Sequence, residues 1–438
     1  MTAGDGSAVA ERLPGEMMGE HHTMAGWVDL ALLGLGAWLV FSPVTVGYDR
    51  LSVSLSDIAS GAAVALLAAL SRWGGRVWAP YVSAGVGTWL LFAPVALWAK
   101  EPAAYLNDTI VGAAVIVLAV LIPHGMEMEG GDVPPGWTYN PSTWRQRAPI
   151  IMLALIGFFA SRYMTAFQLG HIGSVADPFF GRGTERILTS HVSRMFPVSD
   201  AGLGASIYLF EVLMMAMGDK RRWRTMPWMV GFFAVLVVPM GVTSIVLVIL
   251  QPVSVGAWCT LCLVAAFAML LMVPLSLDEI LAMVQLVVRR RREGVGAWRT
   301  FWYGANQDDH PPVAEGPALR SAWRGMGSPV SLVAATAVGV WLMAAPDLLR
   351  VVGGTADSDR FVGALVVTFA MIGLAEVSRS ARLLNVPLAA WLVVAPWLLD
   401  ASSAATVSGV ASGVVLLALS LPRGAIVERS GGWEQHVR

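Results

Sequence analysis

One stretch of the sequence, Gly256-Ala257-Trp258-Cys259-Thr260-Leu261-Cys262-Leu263, contains both cysteines of the 438-residue chain. On a helix, residues i and i+3 share a face, so the two sulfurs can close a short disulfide or act together as a dithiol. A helix N-terminus also favours a thiolate, through its unpaired N–H groups and its positive dipole end. The spacing therefore indicates a redox pair. The alternative is that two small side chains simply pack in a membrane helix.

The composition predicts a membrane protein. The chain is 56% hydrophobic and only 13% charged, against roughly 25% charged residues in soluble domains. Apolar runs near the length of a membrane-spanning helix recur from Trp27 to Leu421. A net charge of −1 argues against a nucleic-acid partner. We therefore expect an all-α polytopic protein with about twelve transmembrane helices, in contact with membrane lipid.

A six-residue pattern that begins with Trp and ends with Pro occurs four times, at residues 38–43, 89–94, 341–346 and 391–396. Each copy is followed by a glycine that opens another apolar run, in the order Gly61, Gly112, Gly363 and Gly413. Four positions before that glycine stands Asp57, Asp108, Asp359 or, in the fourth copy, Gly409. Trp anchors a helix near the membrane interface, Pro stops it, and small residues let a returning helix approach closely. The pattern predicts helical hairpins.

These four units resemble the SPW repeat, a two-helix membrane module. All four keep the Trp and the Pro, but the Ser is present only at Ser42 and the final Trp only at Trp397. The resemblance implies two pairs of helical-hairpin repeats, which we place at 26–125 and 329–424. It implies architecture and no chemistry, so we interpret the repeats as structural.

The block between the repeat pairs has different features. Apolar spans are expected near 149–168, 202–218, 228–250 and 257–275, with a polar loop at 169–200. We predict a central four-helix bundle at 149–288. The rest of the chain is expected to form a disordered tail at 1–25, a linker at 126–148, a cytoplasmic linker at 289–328 and a tail at 425–438.

Positive charges are concentrated in alternate loops. They cluster at Arg72 and Arg76, Arg145 and Arg147, Lys220 to Arg224, Arg289 to Arg292, and Arg379 and Arg382. The positive-inside rule therefore predicts a multi-pass protein of the cell membrane with both termini in the cytoplasm. It also places Cys259 and Cys262 at the outer face, on the oxidising side of the membrane.

The central block resembles the vitamin K epoxide reductase family. The resemblance rests on four spans, an outer loop after the first span, and W-C-x-x-C-L at the start of the fourth. It extends to Thr189-Ser190, the Phe196-Pro197 turn, Gly202-x-Gly204-x-x-x-Tyr208 and Val255-Gly256-Ala257-Trp258. It covers roughly residues 145–290 and implies a bundle that holds a quinone beside the Cys-x-x-C. Such proteins pass electrons from extracytoplasmic protein thiols to that quinone and so sustain disulfide formation.

The resemblance also implies roles for single residues. Cys262 would touch the quinone, and Cys259 would exchange disulfides with the electron donor. The quinone would be menaquinone or ubiquinone, and no metal is expected.

Six further residues are candidate quinone contacts. Thr189, Ser190 and Asp200 offer polar groups, although a helix-capping role explains each of them equally simply. Phe196, Trp258 and Phe267 offer apolar walls, although ordinary membrane packing is the alternative for each.

The outer loop departs from the family pattern, because residues 169–200 contain no cysteine where the family has a shuttle pair. Alignment on Ile187-Leu188-Thr189-Ser190 puts Thr184 where the second loop cysteine belongs. Either a separate extracytoplasmic thioredoxin-like donor reaches Cys259 directly, or the protein has abandoned thiol oxidation. We expect a membrane thiol:quinone oxidoreductase. The alternative is a non-enzymatic membrane scaffold, or a quinone- or lipid-binding module, whose Cys-x-x-C is a relic or a redox sensor.

Overall fold

The computed structural model describes residues 14–76, 78–121, 131–195, 197–306 and 317–437. Ten of the described helices are long and apolar enough to cross a membrane. Two more helices, Asp200–Ala216 and Gly354–Ile372, belong to the bundle and to a hairpin but are not counted among the ten. The first is too short, with 17 residues, and the second carries three charged residues. The expected all-α polytopic fold is confirmed. The chain divides into two compact units, Met1–Glu127 and Met128–Arg438.

The first unit is made of four helices. They are α1 (Pro14–Val46), α2 (Leu51–Arg72), α3 (Ala79–Ala96) and α4 (Pro102–Leu121). Helix α1 packs on α2 and α4, and α3 packs on α2 and α4. Residues 14–25, which were expected to belong to a disordered tail, form the first part of α1, and residues 1–13 lie outside the described residues.

The second unit contains the central block and the second repeat pair. The central block comprises α5 (Trp144–Gln168), α6 (Gly183–Leu188), α7 (Asp200–Ala216), α8 (Arg222–Thr225), α9 (Pro227–Leu250), a π-helix (Gln251–Val255) and α10 (Thr260–Arg292). Short helices α11 (Ala297–Tyr303) and α12 (Ala318–Ala322) follow. The second repeat pair comprises α13 (Val330–Leu349), α14 (Gly354–Ile372), a 3₁₀-helix (Glu376–Leu384), α15 (Asn385–Leu398) and α16 (Ser403–Ser420). Helix α14 packs against α9 and α10.

The repeat glycines are the points where the two helices of each hairpin touch. A Cβ at the repeat glycine would lie 2.5–2.8 Å from a carbonyl oxygen of the partner helix, in the pairs Gly61–Gly36, Gly112–Gly87, Gly363–Gly339 and Gly413–Ala389. No side chain larger than hydrogen fits there without moving a helix. The close approach predicted from the repeat pattern is confirmed.

The repeat prolines and tryptophans also have matching surroundings in all four copies. The Pro carbonyl accepts a hydrogen bond from the N–H five positions later, in the pairs Tyr48–Pro43, Ala99–Pro94, Val351–Pro346 and Ala401–Pro396. The Trp indole N–H donates to the other repeat of its pair, in the pairs Trp38–Asn107, Trp89–Ser56, Trp341–Ser408 and Trp391–Ser358. Each acceptor immediately precedes the repeat Asp, or Gly409. The tryptophans therefore join the two hairpins of a pair, besides presenting part of each ring to the outside.

The central block is a four-helix bundle of α5, α7, α9 and α10. Helix α5 packs on α7 and α10, and α9 packs on α10 and α7. The fourth helix begins at Thr260 and not near residue 257 as predicted, and it continues through Pro274 to Arg292. Helix α10 is thus one 33-residue helix that extends well beyond the apolar span expected to end near residue 275.

Buried arginines hold together the end of the bundle that lies far from the cysteines. The Arg222 guanidinium forms a buried, bidentate ion pair with Glu279 on α10, with N···O distances of 2.7 and 2.5 Å. Arg147 on α5 donates to the carbonyl oxygens of Met215, Met217 and Gly218, at the end of α7. These are carbonyl groups that a helix C-terminus leaves without partners, so the arginine caps α7 from a neighbouring helix.

The C-terminal residues pack against the rest of the second unit instead of forming a free tail. The carboxylate of Glu376 accepts hydrogen bonds from the N–H groups of Val427 and Glu428, at 3.0 and 2.8 Å. Gln285 on α10 donates to the carbonyl of Ser430 at 2.9 Å. Contacts between segments this far apart in the chain are not visible in the sequence.

Replacing Gly87 with Ala should destabilise the first repeat pair. The added Cβ meets the Gly112 carbonyl at 2.8 Å and the side chain of Ile116 at 2.9 Å, and such overpacking costs about 1–3 kcal/mol. Gly85, on the same helix, has no neighbouring atom within 4 Å of its Cβ position and is the matched control. Gly85→Ala should be neutral or stabilising by up to about 1 kcal/mol. Thermal unfolding of the purified variants measures both, and equal effects would contradict the close packing.

Candidate functional site

Cys259 and Cys262 are joined by a disulfide at the beginning of α10. Cys259 is the residue before the first helical position, and its Sγ accepts a hydrogen bond from the backbone N–H of Cys262 at 3.0 Å. The Cys259 sulfur therefore caps the helix. The pair does lie at a helix N-terminus as predicted, but only Cys262 is inside the helix.

A π-helix sets the position of the cysteine segment. The last turn of α9 continues into Gln251–Val255, and the chain then turns at Gly256, which has a positive φ of 65°. Gln251 is buried, and its side-chain oxygen accepts a hydrogen bond from the N–H of Cys259 at 2.9 Å. π-Helical turns are rare in proteins, and many of those that occur are at functional sites. The only sequence signal for this turn was Pro252 followed closely by Gly256.

Asp177, in the loop between α5 and α6, connects that loop to the start of α10. Its carboxylate accepts hydrogen bonds from the backbone N–H and the hydroxyl of Thr260, at 3.3 and 2.5 Å. It accepts two more from Thr184, at 3.1 Å from the N–H and 2.7 Å from the hydroxyl. The N–H groups of Phe179 and Phe180 complete the set. Sequence reasoning did not single out Asp177, because a loop aspartate has no motif of its own.

The hydrogen bonds determine the charge of Asp177. Partial burial by itself raises the pKa of this carboxyl, but the bonds from Thr260, Thr184 and the backbone of Phe180 and Phe179 outweigh it. The pKa is therefore held below its ordinary value. A group with a lowered pKa contributes its stabilisation at neutral pH and loses it only as the pH falls through the lowered value.

The two sulfurs have different surroundings. Cys259 is fully buried, with the Thr184 hydroxyl at 3.4 Å from its Sγ. Cys262 is only partly buried, and its Sγ lies 3.5 Å from the Sδ of Met164 on α5. Helix α6 presses closely on the cysteine segment, because a Cβ at Gly183 would overlap the carbonyl oxygen of Trp258. The loop thus covers Cys259 and leaves Cys262 facing into the bundle.

A cavity lies beside Cys262, between α5, α7, α9 and α10. It has about 710 Å³ of empty space, including the part that is open to the outside. Most of the wall is apolar. The polar or sulfur-containing residues of the wall are Ser161, Met164, Ser193, Asp200, Tyr208, Met240, Ser244, Gln251 and Cys262.

A hydrogen-bonded cluster forms one side of this cavity. The Gln168 amide donates to the Asp200 carboxylate at 2.6 Å and is 2.7 Å from the Ser193 hydroxyl, which itself donates to Asp200 at 2.8 Å. The Ser199 hydroxyl donates to the Gln168 oxygen and accepts from the N–H of Gly202, so Ser199 is the N-cap of α7. Asp200 is therefore free of the capping role and contributes to the cavity wall.

The lining fits a quinone. Small-molecule sites are mostly apolar clefts with a few convergent polar groups. This cavity has apolar walls, hydroxyl groups from Ser161 and Ser193, and a sulfur from Cys262 on the same surface. Tyr208 is held in place on the wall because its hydroxyl donates to the carbonyl of Ala265 at 2.7 Å.

The other predicted contacts lie elsewhere. Thr189 is exposed and its hydroxyl donates to the carbonyl of Glu185 at 2.8 Å, while the Ser190 hydroxyl donates to the carbonyl of Ile187 at 2.7 Å. Both therefore have the capping role that was the alternative interpretation, and neither lines the cavity.

The predicted aromatic wall is not assembled from the residues that the structure describes. Trp258 donates its indole N–H to Asp347 at 3.1 Å, which ties the cysteine segment to α13 of the second repeat pair. Phe267 is 53% exposed on the outside of α10, because the helical phase turns it away from the cavity. Phe196 lies outside the described residues. Of the five candidate contacts that the structure describes, only Asp200 reaches the cavity. Among the described side chains, no cluster of three His, Cys, Asp or Glu residues could hold a metal ion.

Comparison with known protein families agrees with this architecture. The model of the vitamin K epoxide reductase family matches residues 148–277, and the SPW repeat domain matches residues 26–122 and 330–422. No curated protein and no solved structure matches the chain. The chain is thus a polytopic membrane protein that carries a vitamin K epoxide reductase family domain between two SPW repeat domains.

Proposed function

We propose that this protein is a membrane thiol:quinone oxidoreductase. Electrons would pass from the dithiol of an extracytoplasmic protein through Cys259 and Cys262 to a quinone in the cavity. The observation that carries the proposal is that one disulfide has Cys262 on the cavity wall and Cys259 under the loop. One sulfur is thus available to an acceptor inside the bundle, and the other lies toward the end of the bundle from which a donor would come.

Disulfide exchange accounts for the first half of the reaction. A donor thiolate attacks the Cys259 sulfur, a mixed disulfide forms, and the Cys259–Cys262 bond breaks with Cys262 leaving as a thiolate. The second donor thiol then resolves the mixed disulfide, so the donor is oxidised and the Cys259–Cys262 pair becomes a dithiol. Two electrons and two protons have entered the site. When bound, a quinone supplies an acceptor for two electrons and two protons, which is what a dithiol releases on closing.

The residues around the cavity would hold the acceptor and control its protons. Ser161, Ser193 and Asp200 offer polar groups on the wall opposite much apolar surface, and Gln168 fixes Asp200 and Ser193 by hydrogen bonds. The Cys262 N–H is directed at the Cys259 sulfur, so the helix N-terminus would stabilise a thiolate at Cys259 once the disulfide opens. Menaquinone and ubiquinone are the two candidate acceptors.

Access to Cys259 requires the loop to move. The sulfur is fully buried under Thr184, and Asp177 holds the loop to α10. We infer that Asp177 is a positioning residue that keeps the loop closed until a donor binds. The charge pattern supports an outward-facing loop with both termini in the cytoplasm, so a separate thioredoxin-like donor would approach from outside.

The burial of Cys259 also favours a second candidate function. A disulfide that no donor reaches would serve as a structural link or a redox sensor in a quinone- or lipid-binding module. The absence of cysteine from the loop supports this alternative. The two functions differ in whether dithiol oxidation depends on Cys262.

Activity of the purified full chain distinguishes them. With a reduced thioredoxin-like protein and a soluble menaquinone analogue, the wild type should consume the quinone, whereas Cys262→Ala should reduce the rate to that without protein. Phe267→Ala is the matched control, because Phe267 is on the same helix and faces away from the cavity. Unchanged turnover in Cys262→Ala would remove the enzymatic assignment.

Replacing Asp177 with Asn should expose Cys259. The asparagine side chain accepts hydrogen bonds only at its oxygen, because its nitrogen is a donor. Each lost hydrogen bond to a charged group costs about 1.5–3 kcal/mol. The reduced protein should then react at least about tenfold faster with a membrane-impermeant maleimide added from outside, since 1.4 kcal/mol corresponds to a factor of ten. Glu185→Gln, a carboxylate change in α6 that leaves the contacts between Asp177 and Thr260 in place, is the control. Labelling only from the cytoplasmic side would overturn the proposed orientation.

Replacing Thr184 with Cys should create a disulfide between position 184 and Cys259. The hydroxyl of Thr184 is 3.4 Å from the Cys259 sulfur, so the new thiol can attack the existing disulfide and release Cys262. Mass spectrometry after alkylation under non-reducing conditions should find the label on Cys262. Thr189→Cys, at the exposed end of the same short helix, should leave Cys262 unlabelled. The same result for both variants would contradict the placement of α6 over Cys259.

A further inference from the structure

The first repeat pair contains a polar centre that the redox site does not use. Asp57 on α2 and Asp108 on α4 are both fully buried. They occupy the same position of their repeats, four residues before the repeat glycine. Their carboxyl groups lie within hydrogen-bonding reach of each other. Two chain segments that belong to different hairpins thus bring two carboxyl groups together inside the unit.

The hydrogen bonds around this pair are unequally distributed. Asp57 accepts hydrogen bonds on one oxygen, from the Tyr48 hydroxyl at 2.9 Å and the Ser42 hydroxyl at 3.3 Å. Its other oxygen and both oxygens of Asp108 are buried without a donor. Asp108 is therefore a fully buried carboxyl group that lies next to Asp57 and Asn107 and whose oxygens lack a well-formed hydrogen bond. Carboxylates accept hydrogen bonds and do not donate them, so as anions the two groups leave three acceptors unsatisfied.

Binding of one proton to the carboxyl pair supplies the missing hydrogen-bond donor. Two negative charges in contact inside a water-poor interior repel strongly, and a carboxyl pair of this kind binds a single proton between its two members. A proton on Asp108 makes it a donor to the free oxygen of Asp57. The pair then carries one negative charge, which the Tyr48 and Ser42 hydroxyls stabilise on Asp57.

The neighbouring groups are suited to that charge. Asn107 donates its side-chain amide to the Tyr48 hydroxyl at 3.0 Å and accepts from the Trp38 indole, so the tyrosine is oriented toward Asp57. Burial is the main reason that the pKa of Tyr48 is raised above its ordinary value, and the charge of Asp57 adds to the increase. Tyr48 therefore remains a donor. Helix α3, which also packs in this unit, contains no acidic or basic residue.

The second repeat pair has the same backbone framework without this centre. Asp359 corresponds to Asp57, but Gly409 stands at the position of Asp108. The positions of Ser42 and Tyr48 are taken by Ala345 and Val351. The hairpin fold therefore does not require the carboxyl pair or its two hydroxyl donors, and all four occur together only in the first repeat pair.

We propose that Asp57 and Asp108 form a proton-binding site in the first repeat pair, in which the two carboxyl groups share one proton and Tyr48 and Ser42 stabilise the remaining charge. The site takes up one proton per chain and gives it up at higher pH. The first repeat pair is thus a titrating membrane module in addition to a structural one.

Infrared spectroscopy of the full chain in detergent tests this proposal directly. The wild type at neutral pH should show the C=O band of a protonated carboxylic acid, and the wild-type-minus-variant spectrum for Asp108→Asn should contain the band of one such group. Asp57→Asn should keep the band, because Asp108 then stays buried beside a neutral amide and holds its proton; if Asp108→Asn folds poorly, the pH dependence of the wild type is the second measurement. Asp357→Asn, at an exposed aspartate of the second repeat pair, should remove no such band. Absence of the band from the Asp108→Asn difference spectrum would overturn the proposal.

Thermal stability as a function of pH gives an independent readout. The wild type should lose stability as rising pH removes the shared proton, because two buried charges then face each other. Asp108→Asn should lack this loss, since its amide donates to Asp57 at every pH. A wild-type pH profile in Asp108→Asn would contradict the proton site. Stabilisation of the wild type by Na⁺ over K⁺ at equal ionic strength, absent from Asp108→Asn, would overturn it in favour of a cation site.

Discussion

The carboxylate of Asp177 accepts six hydrogen bonds from the loop before α6, from Thr184 and from the first residue of α10. This interaction joins a polar loop to a helix N-terminus that would otherwise have unpaired N–H groups. Because the same N-terminus carries the Cys259–Cys262 disulfide, the position of the loop and the accessibility of the sulfurs are determined together. A charged acceptor at a helix N-terminus is also favoured by the helix dipole.

The site is asymmetric because the disulfide lies across the boundary between loop and bundle. Thr184 covers Cys259, whereas Cys262 contacts Met164 and faces the cavity. Two hydrogen bonds hold this arrangement: the buried Gln251 accepts from the Cys259 N–H, and Trp258 donates to the exposed Asp347 of the second repeat pair. The second repeat pair therefore helps to fix the cysteine segment, a role that its own sequence did not indicate.

The repeats show how one membrane framework can carry different side-chain chemistry. Close glycine contacts, the turn after Pro and the Trp cross-links are shared by all four copies. These features satisfy backbone and indole groups internally, as the interior of a membrane requires. The position four residues before the glycine is not needed for that purpose. It is free to hold a carboxyl group, as in Asp57 and Asp108, or nothing larger than hydrogen, as in Gly409.

The sequence by itself determined the membrane class, the hairpin repeats, the four-helix block and the Cys-x-x-C at a helix start, because each leaves a local pattern of apolar length, glycine, proline or cysteine. A short local alignment put Thr184 where the family has its second loop cysteine, but its contact with Cys259 came from the structure. Only the tertiary structure decided which residues surround the sulfurs. Asp177 and Thr260 are 83 positions apart, and Met164 and Gln168 of α5 meet Gln251 of the π-helix at the site. Phe267 was misplaced for a related reason: lipid and bundle interior are both apolar, so a helix that is hydrophobic all round does not reveal its inward face.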